Sequence, residues 1–112
     1  MATVEELYAQ GEKLKDEGRF EEAVAKFQES LQLNESYALA HFALAVVCGK
    51  LSRHEEAVRH AERAVELDPR DPFSYTALSV TYQRAFAGTH DQHYIHKAEE
   101  AMARAHSMQP AH

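Results

Sequence analysis

From Phe20 to Asn34 the chain reads FEEAVAKFQESLQLN, and from His54 to Asp68 it reads HEEAVRHAERAVELD. The second stretch lies 34 residues after the first. At that shift Glu21, Glu22, Ala23 and Val24 fall on Glu55, Glu56, Ala57 and Val58, and Leu33 falls on Leu67. The segments that precede them keep the same period. Gly11, Ala45 and Ser79 form a series of small residues, and Leu14, Cys48 and Tyr82 form an apolar one. A third copy, HKAEEAMARAHSMQP (96–110), arrives seven residues late, with Pro110 lying 41 residues after Pro69. Small residues let paired helices approach closely, and the larger apolar ones fill the groove that remains.

Apolar residues recur at helical spacing along almost the whole chain. Thr3 with Glu6 reads as a capping box that opens a helix running to about Glu17. Gly18 then stands where a left-handed residue ends a helix. Further helices are expected over about 21–33 and about 38–50, the latter ending near Gly49. A second capping box, Ser52 with Glu55, opens a fourth helix to Leu67. The run Asp68-Pro69-Arg70-Asp71-Pro72 is a strong break, since each proline disfavours helical geometry in the residue before it. Pro72 suits the first turn of a fifth helix ending around Ala87 and Gly88. A sixth is expected to start between Asp91 and His93 and to end at Met108, before Pro110.

This pattern resembles the tetratricopeptide repeat family, and the resemblance covers essentially the whole chain. The first repeat supplies Leu7, Gly11, Leu14, Gly18, Phe20, Ala23, Phe27, Ser30 and Leu33; the second supplies Leu44, Ala45, Cys48, Ala57, Ala61, Ala64, Leu67 and Pro69. The third supplies Tyr75, Leu78, Ser79, Tyr82, Ala98, Met102, Ala105, Met108 and Pro110. Departures are Glu35 where a proline is common, His41 at a usually bulky apolar position, and the late third repeat. The resemblance implies an all-α fold, a right-handed α-α superhelix of three helical hairpins and six helices. It implies one domain over 1–112, with repeats at about 4–37, 38–71 and 72–112, the last with a seven-residue insertion.

Composition narrows the function. A length of 112 residues fits one domain or a short repeat array. A formal net charge of -6 argues against nucleic acid and anionic membranes as partners. No apolar run approaches a membrane span, and MATVEELY opens on acids rather than on a basic signal-peptide region. Cys48 is the single cysteine, so no internal disulfide forms. A cytoplasmic protein is expected.

The resemblance also implies a concave surface lined by the first helix of each hairpin. That lining is Glu5, Tyr8, Glu12, Lys15 and Asp16 in the first repeat, and Leu39, Phe42, Val46 and Lys50 in the second. Phe73, Thr76, Val80, Gln83 and Arg84 follow in the third. The middle helix supports the idea independently: ALAHFALAVVCG (38–49) is apolar almost all round. A helix packed on one side needs only one apolar face, so here both faces should be covered or ready to bind. The expected contact set is Tyr8, Glu12, Leu39, Phe42, Val46, Phe73, Thr76 and Val80, with Lys50 and Arg84 setting orientation. The expected partner is an apolar peptide segment or helix of another protein. The alternatives are a homodimer that buries the same groove or the open end against a twin, and a metal-binding accessory module. Clamping of a terminal carboxylate, known in chaperone-binding members of the family, is not expected. Glu12 would repel the carboxylate, and Phe42 and Val46 offer it no donor.

His90, His93 and His96, with Asp91 among them, are the one bunch of metal-ligand types. On a helix, steps of three spread them over about 120°. No HExxH or paired-cysteine signature accompanies them, so a solvated wall of the insertion is expected, with no cofactor. Catalysis has weaker support still. Cys48 reads as an inert core thiol, and His41 lies two turns upstream of it, expected to meet Tyr8 or another groove neighbour. The recurring glutamates suit the first turns of helices. The glycines at 11, 18, 49 and 88 are too scattered for a phosphate loop.

Overall fold

The computed structural model describes residues 1–108. Among them are six helices and no strand: α1 (Val4–Asp16), α2 (Phe20–Leu33), α3 (Ala38–Lys50), α4 (His54–Leu67), α5 (Pro72–Thr89) and α6 (Gln92–Ser107). The starts of α1, α3 and α5 keep the 34-residue period. Pairs α1–α2, α3–α4 and α5–α6 form hairpins, and α2 packs on α3 and α4 on α5. The first helices of neighbouring hairpins also approach one another, α1 on α3 and α3 on α5, whereas the backbones of α2, α4 and α6 stay apart. Helices that crowd on one side and splay on the other make a curved array, and α1, α3 and α5 line its inner side.

The small-residue series works by close approach. A Cβ on Gly11 would stand 2.5 Å from the Phe27 ring, which is fully buried. Ser79 Oγ donates to the Ala98 carbonyl of α6 at 2.8 Å, and Ser30 Oγ donates to the Val4 carbonyl of α1 at 3.0 Å. Two apolar clusters result. One joins Ala23, Val24 and Phe27 of α2 to Leu44, Val47 and Cys48 of α3. The other joins Val58, Ala61 and Val65 of α4 to Leu78, Tyr82 and Ala85 of α5 and to Ala98 and Ala101 of α6.

The helix starts and stops follow local chemistry. Thr3 and Glu6 form the expected capping box, and Gly18 takes φ 77°. Asp71 caps α5 by accepting from the Phe73 amide at 3.0 Å, with Pro72 in the first turn.

Two expectations are corrected. The Ser52–Glu55 capping box does not form: Ser52 is itself the left-handed residue, at φ 61°, and Arg53 is the residue that enters α4. Its guanidinium grips Glu56 at 2.9 and 2.7 Å, as Arg19 grips Glu22 at 2.9 and 2.6 Å one repeat earlier. Gly88 does not end α5. It lies inside the helix because the His54 imidazole of α4 sits where its side chain would be, and His90 takes the left-handed position instead. The insertion is helical: α5 is five residues longer than α3, and α6 starts earlier against its alanine pattern than α4 does. The extra residues extend both helices, which are joined by a two-residue turn. Pro110 and the expected end of the third repeat lie outside the described residues.

Candidate functional site

α3 is apolar on both sides because two different surfaces use it. Ala40, Leu44, Val47 and Cys48 are buried against α2 and α4, while Phe42 and Val46 turn the other way, toward α5. There a cleft of ≈ 280 Å³ opens between α3 and α5, lined by Phe42, Ala45, Val46, Phe73, Thr76, Ala77, Val80, Thr81 and Arg84. Ala45 and Ala77 carry no bulk, and so leave the floor open between the two helices. The Phe42 and Phe73 rings meet edge-to-face at 5.8 Å. Phe73 projects from the Asp71-capped first turn of α5 and is 65% exposed; Leu39, on the first turn of α3, is 51% exposed. Leu39, Phe42 and Val46 are therefore not sealed inside the subunit.

Of the ten expected contact residues, the structure gathers Phe42, Val46, Phe73, Thr76, Val80 and Arg84 around this one cleft. Leu39 stands exposed outside its lining. The other three are engaged elsewhere. Tyr8 packs on Phe27 and Tyr37, each at 5.7 Å between ring centres. Burial and a hydrogen bond to Glu12 push its hydroxyl up to about 12. Glu12 pairs with Lys15 at 2.8 Å. Lys50 lies over the Phe20 ring, 5.7 Å from its centre. Ala45, Ala77 and Thr81 were missed as lining residues. Their signal was position alone, one helical turn from Phe42, Phe73 and Arg84.

The polar groups of the cleft are few. Thr76 Oγ1 donates to the Pro72 carbonyl at 3.1 Å, and Thr81 Oγ1 donates to the Ala77 carbonyl at 2.9 Å. Arg84 is the one charged lining residue and is exposed. Larger clefts of ≈ 500 Å³ between α5 and α6 and ≈ 380 Å³ between α4 and α6 are walled by tyrosines and mixed charges such as Glu62, Lys97, Glu100 and Arg104. Their internal partners explain them: Tyr82 donates to Glu62 at 2.5 Å, and Arg104 lies over Tyr75.

His41 does not face Tyr8. It is buried on the α4 side of α3, with Nδ1 3.0 Å from His60 Nδ1 and Nε2 2.9 Å from the Glu35 carbonyl. Its replacement of a bulky apolar residue is thus compensated by two hydrogen bonds. Cys48 is fully buried, and burial pushes its thiol up, away from the thiolate that nucleophilic chemistry needs. The histidines at 90, 93 and 96 are not brought together. His90 ends α5 with its ring against Phe86, and His93 leans on Tyr94 in α6. Among the described residues no group of three or more His, Cys, Asp or Glu side chains is placed to hold a metal ion. None of the helices among these residues is long and apolar enough to cross a membrane.

Comparison with known proteins gives a consistent picture. The chain is similar in structure to MamA (TM-score 0.81, 19% identity), covering 95% of this chain and 58% of MamA. MamA from Desulfovibrio magneticus RS-1, from its residue 41 onward, is 28% identical at a TM-score of 0.76, covering 96% of this chain and 56% of that one. The second tetratricopeptide domain of Spaghetti (RPAP3) matches with a TM-score of 0.78 and 18% identity, over 96% of this chain and 93% of the domain. YrrB matches at 0.80 and 23% identity, over all of this chain and 54% of YrrB. The chain thus spans little more than half the length of MamA and YrrB. Comparison with curated protein sequences gives no match. The model of the tetratricopeptide repeat matches residues 8–72, more than half of the sequence, and with the paired helices and their 34-residue period on the page, the chain belongs to the tetratricopeptide repeat family.

Proposed function

We propose that this chain is a protein-interaction scaffold that binds an apolar segment of another protein in the cleft between α3 and α5. The observation that carries the reading is the combination of Phe42, Val46, Phe73 and Val80 around one open cleft, with Leu39 and Phe73 more than half exposed beside it. Burying a large apolar side chain contributes about 1.5 to 3 kcal/mol before the cost of association is subtracted. Two structural neighbours support a peptide as the occupant: the Spaghetti (RPAP3) domain is bound to the HSP90 peptide SRMEEVD, and YrrB is a tetratricopeptide repeat protein with an unusual peptide-binding site. The contact set of this reading is Phe42, Val46, Phe73, Thr76, Val80 and Arg84, with Leu39 flanking. The chain acts as a single unit of three repeats, over 4–37, 38–71 and 72–112. A cytoplasmic location fits its free thiol at Cys48.

Phe42→Glu tests the reading. Partner capture from the native source is expected to be lost while helical circular dichroism stays unchanged. Capture that survives the substitution would remove the cleft from the interaction.

A further inference from the structure

We propose that the α3–α5 cleft selects a short extended segment in which a bulky apolar side chain stands near a carboxylate, and that Arg84 reads the carboxylate. This rests on the cleft being a peptide site, and it adds the chemistry of the peptide. Three observations converge. First, the cleft measures ≈ 280 Å³, at the small end of ligand-pocket volumes, so it admits one or two side chains rather than the whole face of a helix. Second, its walls are mainly apolar and their hydroxyl protons are already used: Thr76 and Thr81 donate to carbonyls of their own helix and keep only acceptor oxygens. Burying an unpaired polar group there would be costly, so the inserted side chain must be apolar.

Third, Arg84 is the one charged group of the lining, and it is unspent. Arg19, Arg53 and Arg63 each hold a glutamate through two hydrogen bonds. Arg84 has no such partner among the described residues. Its planar fork suits a carboxylate, and it would repel a lysine or arginine in the same place. The net charge of -6 does not cancel this preference, because exposed charges beyond about 8 Å are screened at physiological salt while Arg84 sits at the cleft itself. The site differs from a terminal-carboxylate clamp. Its anchor is the apolar side chain, and the carboxylate can belong to a side chain of the peptide.

A random dodecapeptide display library, panned in parallel on the wild-type chain, Arg84→Glu and Phe42→Glu, tests this. All three proteins are first checked for unchanged helical circular dichroism. The wild-type pool is expected to be enriched in Phe, Leu, Ile or Met with Asp or Glu within three positions. The Arg84→Glu pool should lose the acidic bias and gain Lys or Arg, and Phe42→Glu should enrich nothing. For a synthetic peptide from the wild-type pool, replacing its acid by the amide should weaken binding roughly two- to five-fold to the wild type and strengthen it to Arg84→Glu, where it removes a like-charge repulsion. An apolar pool without acidic bias, or a bias that Arg84→Glu retains, overturns the carboxylate reading and leaves the apolar cleft standing. Absence of enrichment, or a pool that Phe42→Glu also selects, overturns both. A dimer in light scattering that Phe42→Glu dissociates assigns the cleft to a second copy and overturns the peptide occupant.

Discussion

Gly11 and Phe27 show how a single side chain sets the spacing of a hairpin. The ring has no exposed surface into which to retreat, and an added Cβ at residue 11 would stand 2.5 Å from it. Gly11→Ala is expected to cost about 1–3 kcal/mol through overpacking, measured as a lower urea midpoint. Gly88 is a milder case: the group in the way is the partly exposed His54 imidazole, which can swing aside, so Gly88→Ala should cost much less. The His41–His60 pair yields a pH prediction. The Glu35 carbonyl only accepts, so His41 carries its proton on Nε2, and its bare Nδ1 accepts from His60 Nδ1–H. Burial, then His41 and Arg59, hold His60 down to about 4; Arg53 adds to this and Glu56 opposes it. Glu35 and Arg63 complete the surroundings, locked to each other at 3.1 and 3.2 Å. Because the folded value lies below the ordinary 6.5, the unfolded chain takes the proton first as pH falls. The stability this group contributes is whole above about pH 6.5 and is lost as pH drops toward 4. Urea unfolding at pH 7 and pH 5 should show a loss on the order of 1–2 kcal/mol, reduced from the full shift by partial exposure. His60→Gln should flatten most of it.

Among the helices, the junctions before α2 and α4 are the same device built twice. Gly18 and Ser52 stand 34 residues apart, both left-handed, each followed by an arginine that holds a glutamate three residues on. Gly adopts this geometry without strain, whereas Ser carries a Cβ penalty there. Ser52→Gly is therefore expected to stabilise the protein by roughly 0.5–1 kcal/mol, and Gly18→Ser to destabilise it by a similar amount. Paired thermal melts of the two variants check this. Ser followed three residues later by Glu satisfies a capping box on paper, but the αL requirement claims Ser52 for the turn. The 34-residue shift that maps Ser52 onto Gly18 carried that information. The role of Gly88 was harder to read, because it looks like a stop until the His54 ring is seen beside it.

Each helix of the array rests mainly on its neighbours in sequence, as expected of a solenoid. α3 touches α1, α2, α4 and α5, while among the described residues α6 packs its backbone closely against α5 alone. Amide hydrogen exchange is therefore expected to be slowest in α3, with α6 and α1 opening first. Uniform protection along the chain would contradict this. The same asymmetry gives α3 its two apolar faces, one consumed by α2 and α4 and one left at the cleft.

The six helices, their pairing and their period were all readable from the residues, because each depends on short-range spacing: apolar positions three and four apart, small residues 34 apart, and breaks at Gly18 and Pro69. The apolar character of α3 was equally plain, since it needs only composition. What no linear pattern contained was the direction each side chain takes once neighbouring helices compete for it. Tyr8 goes to Phe27 and Tyr37, Glu12 to Lys15, Lys50 to Phe20 and His41 to His60, leaving Phe42, Val46, Phe73, Thr76, Val80 and Arg84 to shape the cleft. Helix formation is governed by contacts within one turn, whereas a cleft is what remains after packing between hairpins has claimed the rest.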